Sequence, residues 1–327
     1  MHLNHVRLGS GRPLLLVHGL GGSWRSWSPV LDPLARQREV IAVDLPGFGE
    51  SAPLDGPASI GALADALTAF LKANSWLGID AVGSSLGARV VLEMARRGGA
   101  LGAVVALDPG GFWQPWQGHA FFASVWLSVR MLRALAPWLP ALTRSRLGRA
   151  LLLSRLSAAP SALPPAVALD EMRGYADASA MDRLLYQLAY REPQQGAPRG
   201  SVRHPLVIGW GRGDRLCPPA QAERALALFP DARLHWFERC GHFPHWDAPA
   251  ATVRLILEVT DTPVRPPSSE GRAVAAAGSP VSGPARYDGS GRPGSTPARS
   301  AFACALLASN SARRRAISSG VRRAMLA

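Results

Sequence analysis

A serine stands between two glycines at the end of an apolar run. The segment 83–87, Gly-Ser-Ser-Leu-Gly, fits the pattern G-x-S-x-G with Ser85 at its centre. The apolar run before it and the helical pattern after it place this serine on a sharp turn from strand to helix. Such a turn exposes the hydroxyl, and the free N–H groups of the helix start can stabilise an oxyanion. We predict that Ser85 is a catalytic nucleophile; the alternative is a Gly-Ser turn that merely starts a helix.

A serine hydroxyl needs a base, and that base needs an acid to orient it. Among the eight His, His242 lies on a loop between a strand-like stretch and a helix, and we predict that it is the base. Asp214 follows a Gly-rich turn directly after an apolar run, 28 residues before His242, and is the predicted acid. Asp108 also follows an apolar run and is the rival. The chain order Ser, Asp, His holds for either acid.

Four other candidate residues receive structural roles. We predict that His18 ties down the loop that it begins, and that Asp44 belongs to a turn. His235 alternates within a strand pattern, which favours packing or exposure at the surface. His245 lies three residues after His242, but no third ligand accompanies the pair, so we predict no metal site.

A glycine-rich segment, Val17-His18-Gly19-Leu20-Gly21-Gly22-Ser23, ends the first apolar run. Glycine-rich backbone can lie close beside the serine turn and supply a second donor to an oxyanion. We predict an oxyanion hole formed by the backbone N–H groups of Leu20 and Leu86. The alternative is an ordinary Gly-rich turn.

These residues follow apolar runs that alternate with helical patterns. Runs of about five apolar residues, closed by Gly or Asp, are typical of parallel strands buried on both faces. The predicted strands cover residues 13–17, 39–43, 78–82, 103–107, 206–210 and 232–237, and the predicted helices 60–72, 86–97, 220–229 and 249–259. The alternation predicts an α/β fold with a mostly parallel central sheet flanked by helices.

Residues 111–200 interrupt this alternation. They contain helical apolar runs broken by prolines, four Trp and no clear strand. A stretch of this length is too long for a connector between two strands. We therefore predict a helical cap over the strand ends; the alternative is a set of helices packed against the edge of the sheet.

Positive charge and low-complexity sequence concentrate at the carboxyl end. The chain has 327 residues and a formal charge of +13, of which residues 262–327 contribute +8 through ten Arg against one Asp and one Glu. All ten Trp precede residue 262. We predict one folded domain over 1–261 and a disordered basic tail over 262–327. Alternatively, the arginine runs of the tail bind nucleic acid or an anionic membrane.

Several classes of protein find no support in the sequence. The three Cys, at 217, 240 and 304, are far apart, which disfavours a disulfide framework. Within residues 1–261 the patterns GxxxxGK[ST] and GxGxxG are both absent. The most apolar long window, 120–142, contains two Arg and two Pro, so we predict no transmembrane helix. No signal-peptide pattern is visible. We expect a cytoplasmic protein without a cofactor, whose folded domain binds no nucleic acid.

Taken together, the motifs resemble those of the α/β-hydrolase fold superfamily, in particular bacterial members with a helical cap between the sixth and seventh strands. The resemblance covers about residues 3–260. It implies a Ser85–His242–Asp214 triad with an oxyanion hole at Leu20 and Leu86. The motifs that carry it are His18-Gly19, Asp44-Leu45-Pro46-Gly47-Phe48-Gly49-Glu50-Ser51, Gly83-Ser84-Ser85-Leu86-Gly87, Gly211-Arg212-Gly213-Asp214 and Gly241-His242.

The sequence departs from this family at both ends. Members usually begin with a β-hairpin, whereas only about residues 2–8 precede the first apolar run here, so we predict that one early edge strand is absent. The tail after Asp261 has no counterpart in the family.

The resemblance implies a type of reaction. Dehalogenase and epoxide hydrolase relatives carry Asp where Ser85 stands, which argues against those two chemistries. What it implies is hydrolysis of a carboxylic ester or related acyl bond of a small molecule through an acyl-enzyme. The apolar side chains of residues 111–200 favour an apolar acyl or alkyl group; the alternative is that these side chains belong to the core. Alternatives with the same triad are a lactonase or a meta-cleavage carbon–carbon hydrolase, although the latter often carries Trp where Phe243 stands. A further alternative is a non-catalytic binding protein.

Overall fold

The computed structural model describes residues 2–262. The predicted tail, residues 262–327, lies outside the described residues except for Thr262. None of the described helices combines the length and the apolar composition that a membrane-spanning segment needs.

A seven-stranded sheet forms the centre of the described chain, with the strands in the order β1-β3-β2-β4-β5-β6-β7. Strand β1 runs antiparallel to β3, and every other neighbouring pair is parallel. The expected mostly parallel α/β sheet is confirmed. The strands are β1 His5–Leu8, β2 Pro13–Val17, β3 Glu39–Val43, β4 Ile79–Ser84, β5 Leu101–Leu107, β6 Leu206–Gly211 and β7 Arg233–Phe237.

Helices cover both faces of this sheet. Alternate residues of β2 point into different cores: Leu15 and Val17 join one cluster, and Leu14 and Leu16 join the other. The helices are α1 Ser28–Ala35, α2 Ile60–Ala73, α3 Leu86–Arg97, α4 Pro115–Ala134, α5 Leu139–Arg144, α6 Arg146–Leu152, α7 Pro165–Asp177, α8 Met181–Tyr190, α9 Ala222–Leu228, α10 Pro244–Asp247 and α11 Pro249–Asp261.

Residues 111–200, which we call the helical insertion, lie between β5 and β6. They form the five helices α4–α8 and no strand. Helix α4 packs on α7 and α8, and α7 packs on the short 3-10 helix Trp24–Trp27 of the sheet body. At this contact the α-carbon of Gly174 lies so close to the carbonyl of Gly21 that a side chain there would clash. The insertion therefore sits directly on the glycine-rich loop after β2.

Candidate active site

Ser85 occupies a strained turn between β4 and α3. Its backbone has φ +52° and ψ −107°, a region that residues other than glycine rarely adopt. Its N–H donates to the carbonyl of Leu107, 2.9 Å away, which holds the turn against the next strand. A side chain at Gly83 would clash with the backbone of Gly87, and one at Gly87 would clash with the carbonyl of Val17. Both glycines are thus required for the strand and the helix to meet at the serine.

His242 and Asp214 form a hydrogen-bonded pair that is fully shielded from solvent. Nδ1–H of His242 donates to Oδ2 of Asp214 over 2.8 Å. The other carboxylate oxygen accepts the N–H groups of Leu216 and Cys217, at 2.7 and 2.9 Å. These bonds fix the orientation of the carboxylate. Nε2 of His242 is buried and has no hydrogen-bond partner within residues 2–262, so this nitrogen can accept a proton.

The loops that carry Ser85 and His242 meet at Gly19. A Cβ placed on Gly19 would lie 3.3 Å from Cβ of Ser85 and 3.5 Å from the ring of Phe243. Phe243 follows His242, and their ring centroids are 5.0 Å apart. Three segments that are distant in sequence therefore lie against one another, while Ser85 makes no hydrogen bond to Nε2 of His242.

Asp247 fixes the loop of His242 and was not found by sequence reasoning. Its Oδ2 accepts the N–H groups of Gly241 (2.7 Å) and Ala158 (2.8 Å), and its Oδ1 accepts the hydroxyl of Ser157. One carboxylate thus joins the histidine loop to the helical insertion. In the sequence, Asp247 is marked only by its position five residues after His242, at the end of a short turn of helix. This pattern is too common to identify a functional residue.

Asp108, the rival acid, has a different partner. Its Oδ1 accepts the N–H of Gly211 over 2.8 Å, and it makes no hydrogen bond to His242. Burial, followed by the neighbouring charge of Asp214, raises the pKa of Asp108 well above its ordinary value. Both causes disfavour the charged form of this carboxyl group. The structure therefore pairs His242 with Asp214 and places Asp108 at the start of the Asp214 loop.

The two predicted oxyanion donors belong to the two segments that adjoin Ser85. Leu20 is in the loop next to Gly19, and Leu86 is the first residue of α3. Within residues 2–262, neither backbone N–H donates to a protein acceptor. Both groups are therefore available to an oxygen of a substrate.

His18 and Asp44 hold the loops around these donors. Nδ1–H of His18 donates to the carbonyl of Gly19 (2.7 Å), and Nε2 accepts the N–H of Leu45 (2.9 Å). Burial lowers the pKa of His18, which keeps the ring neutral in this bridging role. Asp44 accepts the N–H groups of Trp24 (2.7 Å) and Glu50 (2.9 Å), so it fastens the turn that it begins. Both residues occupy the structural positions expected of them.

Within residues 2–262, neither His235 nor His245 makes a hydrogen bond to a triad candidate. His235 is half-buried on β7, with its ring edge-on to Phe237 at 4.7 Å between centroids. His245 is buried against Trp27, 4.5 Å between ring centroids, and burial, with the neighbouring His242, lowers its pKa to about 3. It remains neutral across the physiological range.

Cys217 lies beside the pair and was also not found by sequence reasoning. Its sulfur, a carboxylate oxygen of Asp214 and a ring nitrogen of His242 all lie within 4.8 Å of one another, a grouping that could hold a metal ion. The donor chemistry fits poorly, because Asp214 and His242 already bind each other. Burial, and then the charges of Asp214 and Asp108, raise the pKa of the Cys217 thiol well above its ordinary value. A protonated thiol is a weak ligand.

A mostly apolar cavity of about 150 Å³ lies within the helical insertion, next to these residues. Three of its lining residues belong to segments already described: Leu156 accepts the N–H of Phe243, Leu216 donates to Asp214, and Tyr175 contacts Gly21. The cavity therefore lies beside the segments that follow Asp214 and His242, while neither these two residues nor Ser85 line it. Its remaining lining residues are Ser124, Val125, Ser128, Met131, Leu132, Leu151, Leu152, Ser154, Arg155 and Met172.

Comparison with known families gives one extended match. Residues 12–249 match the family model described as alpha/beta hydrolase fold. Among curated proteins, the chain is 27% identical over 267 residues to 2-hydroxy-6-oxononadienedioate/2-hydroxy-6-oxononatrienedioate hydrolase 1 of Dechloromonas aromatica (strain RCB), covering 79% of this chain and 90% of that protein. It is 28% identical to 2-hydroxy-6-oxo-2,4-heptadienoate hydrolase of Pseudomonas putida (strain F1), covering 76% and 89%.

Solved structures show the same fold. A thermophilic esterase from Thermogutta terrifontis superposes with a TM-score of 0.60 at 23% identity, covering 78% of this chain and 92% of that one. The meta-cleavage product hydrolase CumD from Pseudomonas fluorescens IP01 superposes with a TM-score of 0.58 at 18% identity, covering 79% and 93%.

Proposed function

This chain belongs to the α/β-hydrolase fold family and is a hydrolase, and we propose that Ser85, His242 and Asp214 form its catalytic triad. The observation that carries the proposal is the buried 2.8 Å bond from Nδ1 of His242 to Asp214, which leaves Nε2 without a partner. This bond fixes the tautomer in which Nε2 can take a proton. The strained backbone of Ser85 at the end of β4 matches the position of a nucleophile.

Each proposed residue has a role in acyl transfer. His242 takes the proton of the Ser85 hydroxyl, and Asp214 stabilises the resulting imidazolium. Ser85 attacks the carbonyl carbon of the substrate and forms a covalent acyl-enzyme. The N–H groups of Leu20 and Leu86 hold the oxyanion, and each donor lowers the barrier by about 3 kcal/mol. His242 passes its proton to the leaving group and then activates the water that releases the acyl group.

The helical insertion acts as a cap in this proposal. Its helix α7 lies against Gly21 of the oxyanion loop, and its cavity borders the segments of Asp214 and His242. A cavity of about 150 Å³ can hold a benzene ring, so it suits an apolar acyl or alkyl group of about six carbons. We therefore expect an uncharged ester with a short to medium apolar chain as substrate.

Hydrolysis of a carbon–carbon bond is the second candidate. It is favoured by the names of the relatives from Dechloromonas aromatica and Pseudomonas putida, which act on oxo-dienoates. The side chain of Arg155 lines the cavity and could hold the carboxylate of such a substrate. Phe243 stands where meta-cleavage hydrolases often carry Trp, which disfavours this candidate.

Replacement of Ser85 tests both candidates at once. We expect Ser85→Ala to abolish turnover of p-nitrophenyl esters and labelling by a fluorophosphonate, because no other hydroxyl lies at the turn apex. Ser84→Ala is the matched control: its hydroxyl is buried and makes no hydrogen bond within the described chain, and it should keep both activities. A panel of esters graded from two to twelve carbons, run beside a dienoate, separates the two candidates.

Two outcomes would contradict the proposal. Wild-type protein that neither turns over an acyl compound nor takes the label would leave a binding protein as the better reading. A Ser85→Ala variant as active as the wild type would show that another residue attacks the substrate.

A further inference from the structure

The helical insertion exposes an unusual share of the large apolar side chains. Within residues 2–262, twelve such side chains are exposed, and nine of them lie between residues 116 and 190. Proteins that stay monomeric in water rarely gather exposed apolar residues in this way, and such concentrations mark interaction surfaces.

Helix α4 carries the largest part of this surface. Its inner side packs Val125, Val129 and Leu132 into the core. Its outer side repeats exposed apolar residues at intervals of three or four, which places them in one stripe along the helix. A helix that is apolar on both sides requires apolar cover on both. The exposed stripe consists of Trp116, Ala120, Ala123, Leu127, Met131 and Ala134.

The stripe continues across the mouth of the cavity. Met131 on α4 and Leu151 on α6 both line the cavity and are both exposed. Leu147 lies one helical turn before Leu151 and is 69% exposed. We call the exposed apolar side chains of this region the outer face; its members are Trp116, Trp126, Leu127, Met131, Trp138, Leu147 and Leu151.

Positive charge accompanies the outer face. Residues 115–155 contain six Arg and neither Asp nor Glu. Arg130, Arg144 and Arg146 are exposed and form no ion pair with any residue between 2 and 262. The guanidinium of Arg130 lies over the ring of Trp126, 5.1 Å from its centroid. Surfaces that lie in a membrane interface typically combine Trp and Leu with flanking Arg. There the aromatic rings lie at the level of the lipid headgroups, and the cations contact anionic lipid.

We propose that the outer face docks on an anionic phospholipid surface, with the mouth of the cavity towards the lipid. The charge decides between this partner and a second copy of the chain. Two copies joined through the outer face would bring two sets of unpaired arginines together, whereas an anionic lipid surface neutralises one set. In this position an apolar molecule could pass from the lipid into the cavity without crossing water.

Vesicle co-sedimentation of the full chain tests the proposal without reference to turnover. The probes are vesicles of equal parts phosphatidylcholine and phosphatidylglycerol, and vesicles of phosphatidylcholine alone. We expect the wild type to prefer the anionic vesicles and to bind them less tightly as salt is raised. The combined variant Trp116→Gln, Leu127→Gln, Leu147→Gln should lower the partition coefficient about tenfold or more.

Two further variants serve as controls for the combined Trp116/Leu127/Leu147 variant. The pair Leu77→Gln and Leu228→Gln removes exposed apolar side chains outside the insertion and should bind as the wild type does. The triple change Arg313→Gln, Arg314→Gln, Arg315→Gln removes the arginine run near the carboxyl end, outside the described residues.

Circular dichroism reports whether each variant is folded. If the apolar variant fails to fold, Arg130→Gln, Arg144→Gln, Arg146→Gln provides the test, since it should weaken binding to anionic vesicles only.

Three results would overturn the proposal. In the first, the wild type does not sediment with anionic vesicles. In the second, the Trp116/Leu127/Leu147 and Arg130/Arg144/Arg146 variants bind anionic vesicles as the wild type does, while the Arg313/Arg314/Arg315 variant does not. That result would assign lipid binding to the carboxyl end. In the third, sedimentation equilibrium without lipid shows a dimer that the outer-face variant converts to a monomer. Because every readout is binding or assembly, failure here leaves the proposed hydrolase chemistry untouched.

Discussion

The sheet body (residues 2–110 and 201–262) and the helical insertion differ in what they leave on the surface. In the body, β4, β5 and β6 are buried along their whole length, and only Leu8, Leu77 and Leu228 are large exposed apolar residues. In the insertion, nine such residues are exposed. The body therefore has its apolar surface covered by its own chain, whereas the insertion presents apolar surface that a partner or a substrate can cover.

The two regions also differ in how they hold polar groups. In the body, the carboxylates of Asp44 and Asp214 each accept backbone N–H groups, so their positions are fixed before any substrate arrives. In the insertion, Glu171 is the buried carboxyl group, and only its Oε2 has a partner. The rigid body suits chemistry that depends on sub-ångström placement, and the insertion suits binding.

The largest expected effect tests whether Asp214, in the sheet body, is the acid that supports His242. We expect Asp214→Asn to lower kcat on the order of 10⁴-fold, because the amide cannot stabilise the imidazolium or fix the tautomer of His242. Asp108→Asn is the matched control. The amide oxygen of asparagine can still accept the N–H of Gly211, and residue 108 makes no hydrogen bond to His242, so the loss should stay within about tenfold. Steady-state kinetics on a soluble ester measures both variants.

If the two losses in kcat were found in the opposite order, the assignment of the acid would be reversed. If Asp108→Asn cost more than Asp214→Asn, Asp108 would be the acid that supports His242. Equal losses would show that the two carboxyl groups act as one unit.

The next effect concerns the contact between the two regions. Glu171 on α7 accepts the hydroxyl of Ser26 over 2.6 Å, and burial, opposed by this hydrogen bond and reinforced by Asp170, raises its pKa from 4.5 to about 7. Tyr175, one turn along α7, is a further titratable neighbour. Between pH 4.5 and 7, the Glu171 carboxyl group therefore keeps its proton in the folded state, whereas in the unfolded state it has lost that proton. Stability falls as pH rises through this interval and is level above it.

Glu171→Gln should remove this dependence, because glutamine can accept the Ser26 hydroxyl without ionising. Relative to the variant, the wild type should lose about 3 kcal/mol of unfolding free energy between pH 4.5 and 8. Urea unfolding at both pH values measures the difference. A difference that does not change with pH would show that Glu171 is hydrated in solution and that the contact between insertion and body is looser than the structure indicates.

The sequence predicted the body better than the insertion, for a physical reason. Residues 13–17 and 39–43 are strands with the bounds that their apolar runs predict, because strands buried on both faces read as continuous apolar runs. Ser85, His242 and Asp214 follow strands at Gly-rich turns, and these local signals were sufficient to propose them. Helix α1 was missed because its eight residues include two prolines.

Contacts between distant residues left no local signal. Ser26 and Glu171 are 145 residues apart in sequence, and Ser157 and Asp247 are 90 apart. Each pair requires the insertion to be folded onto the body, a geometry that periodicity does not encode. The outer face was hidden for the same reason: Trp and Leu at helical spacing indicate a core until a structure shows which side is covered.

The smallest expected effect tests whether the outer face is uncovered in solution. Leu147→Gln should change the unfolding free energy by no more than about 0.5 kcal/mol, because the side chain is 69% exposed and the two residues have similar helix propensity. In the body, Leu67→Ala should cost about 2–5 kcal/mol, since Leu67 is fully buried on α2. Urea unfolding of the lipid-free protein measures both. A loss above about 1 kcal/mol for Leu147→Gln would mean that the chain or a second copy already covers this face, and the contrast between the two regions would no longer hold.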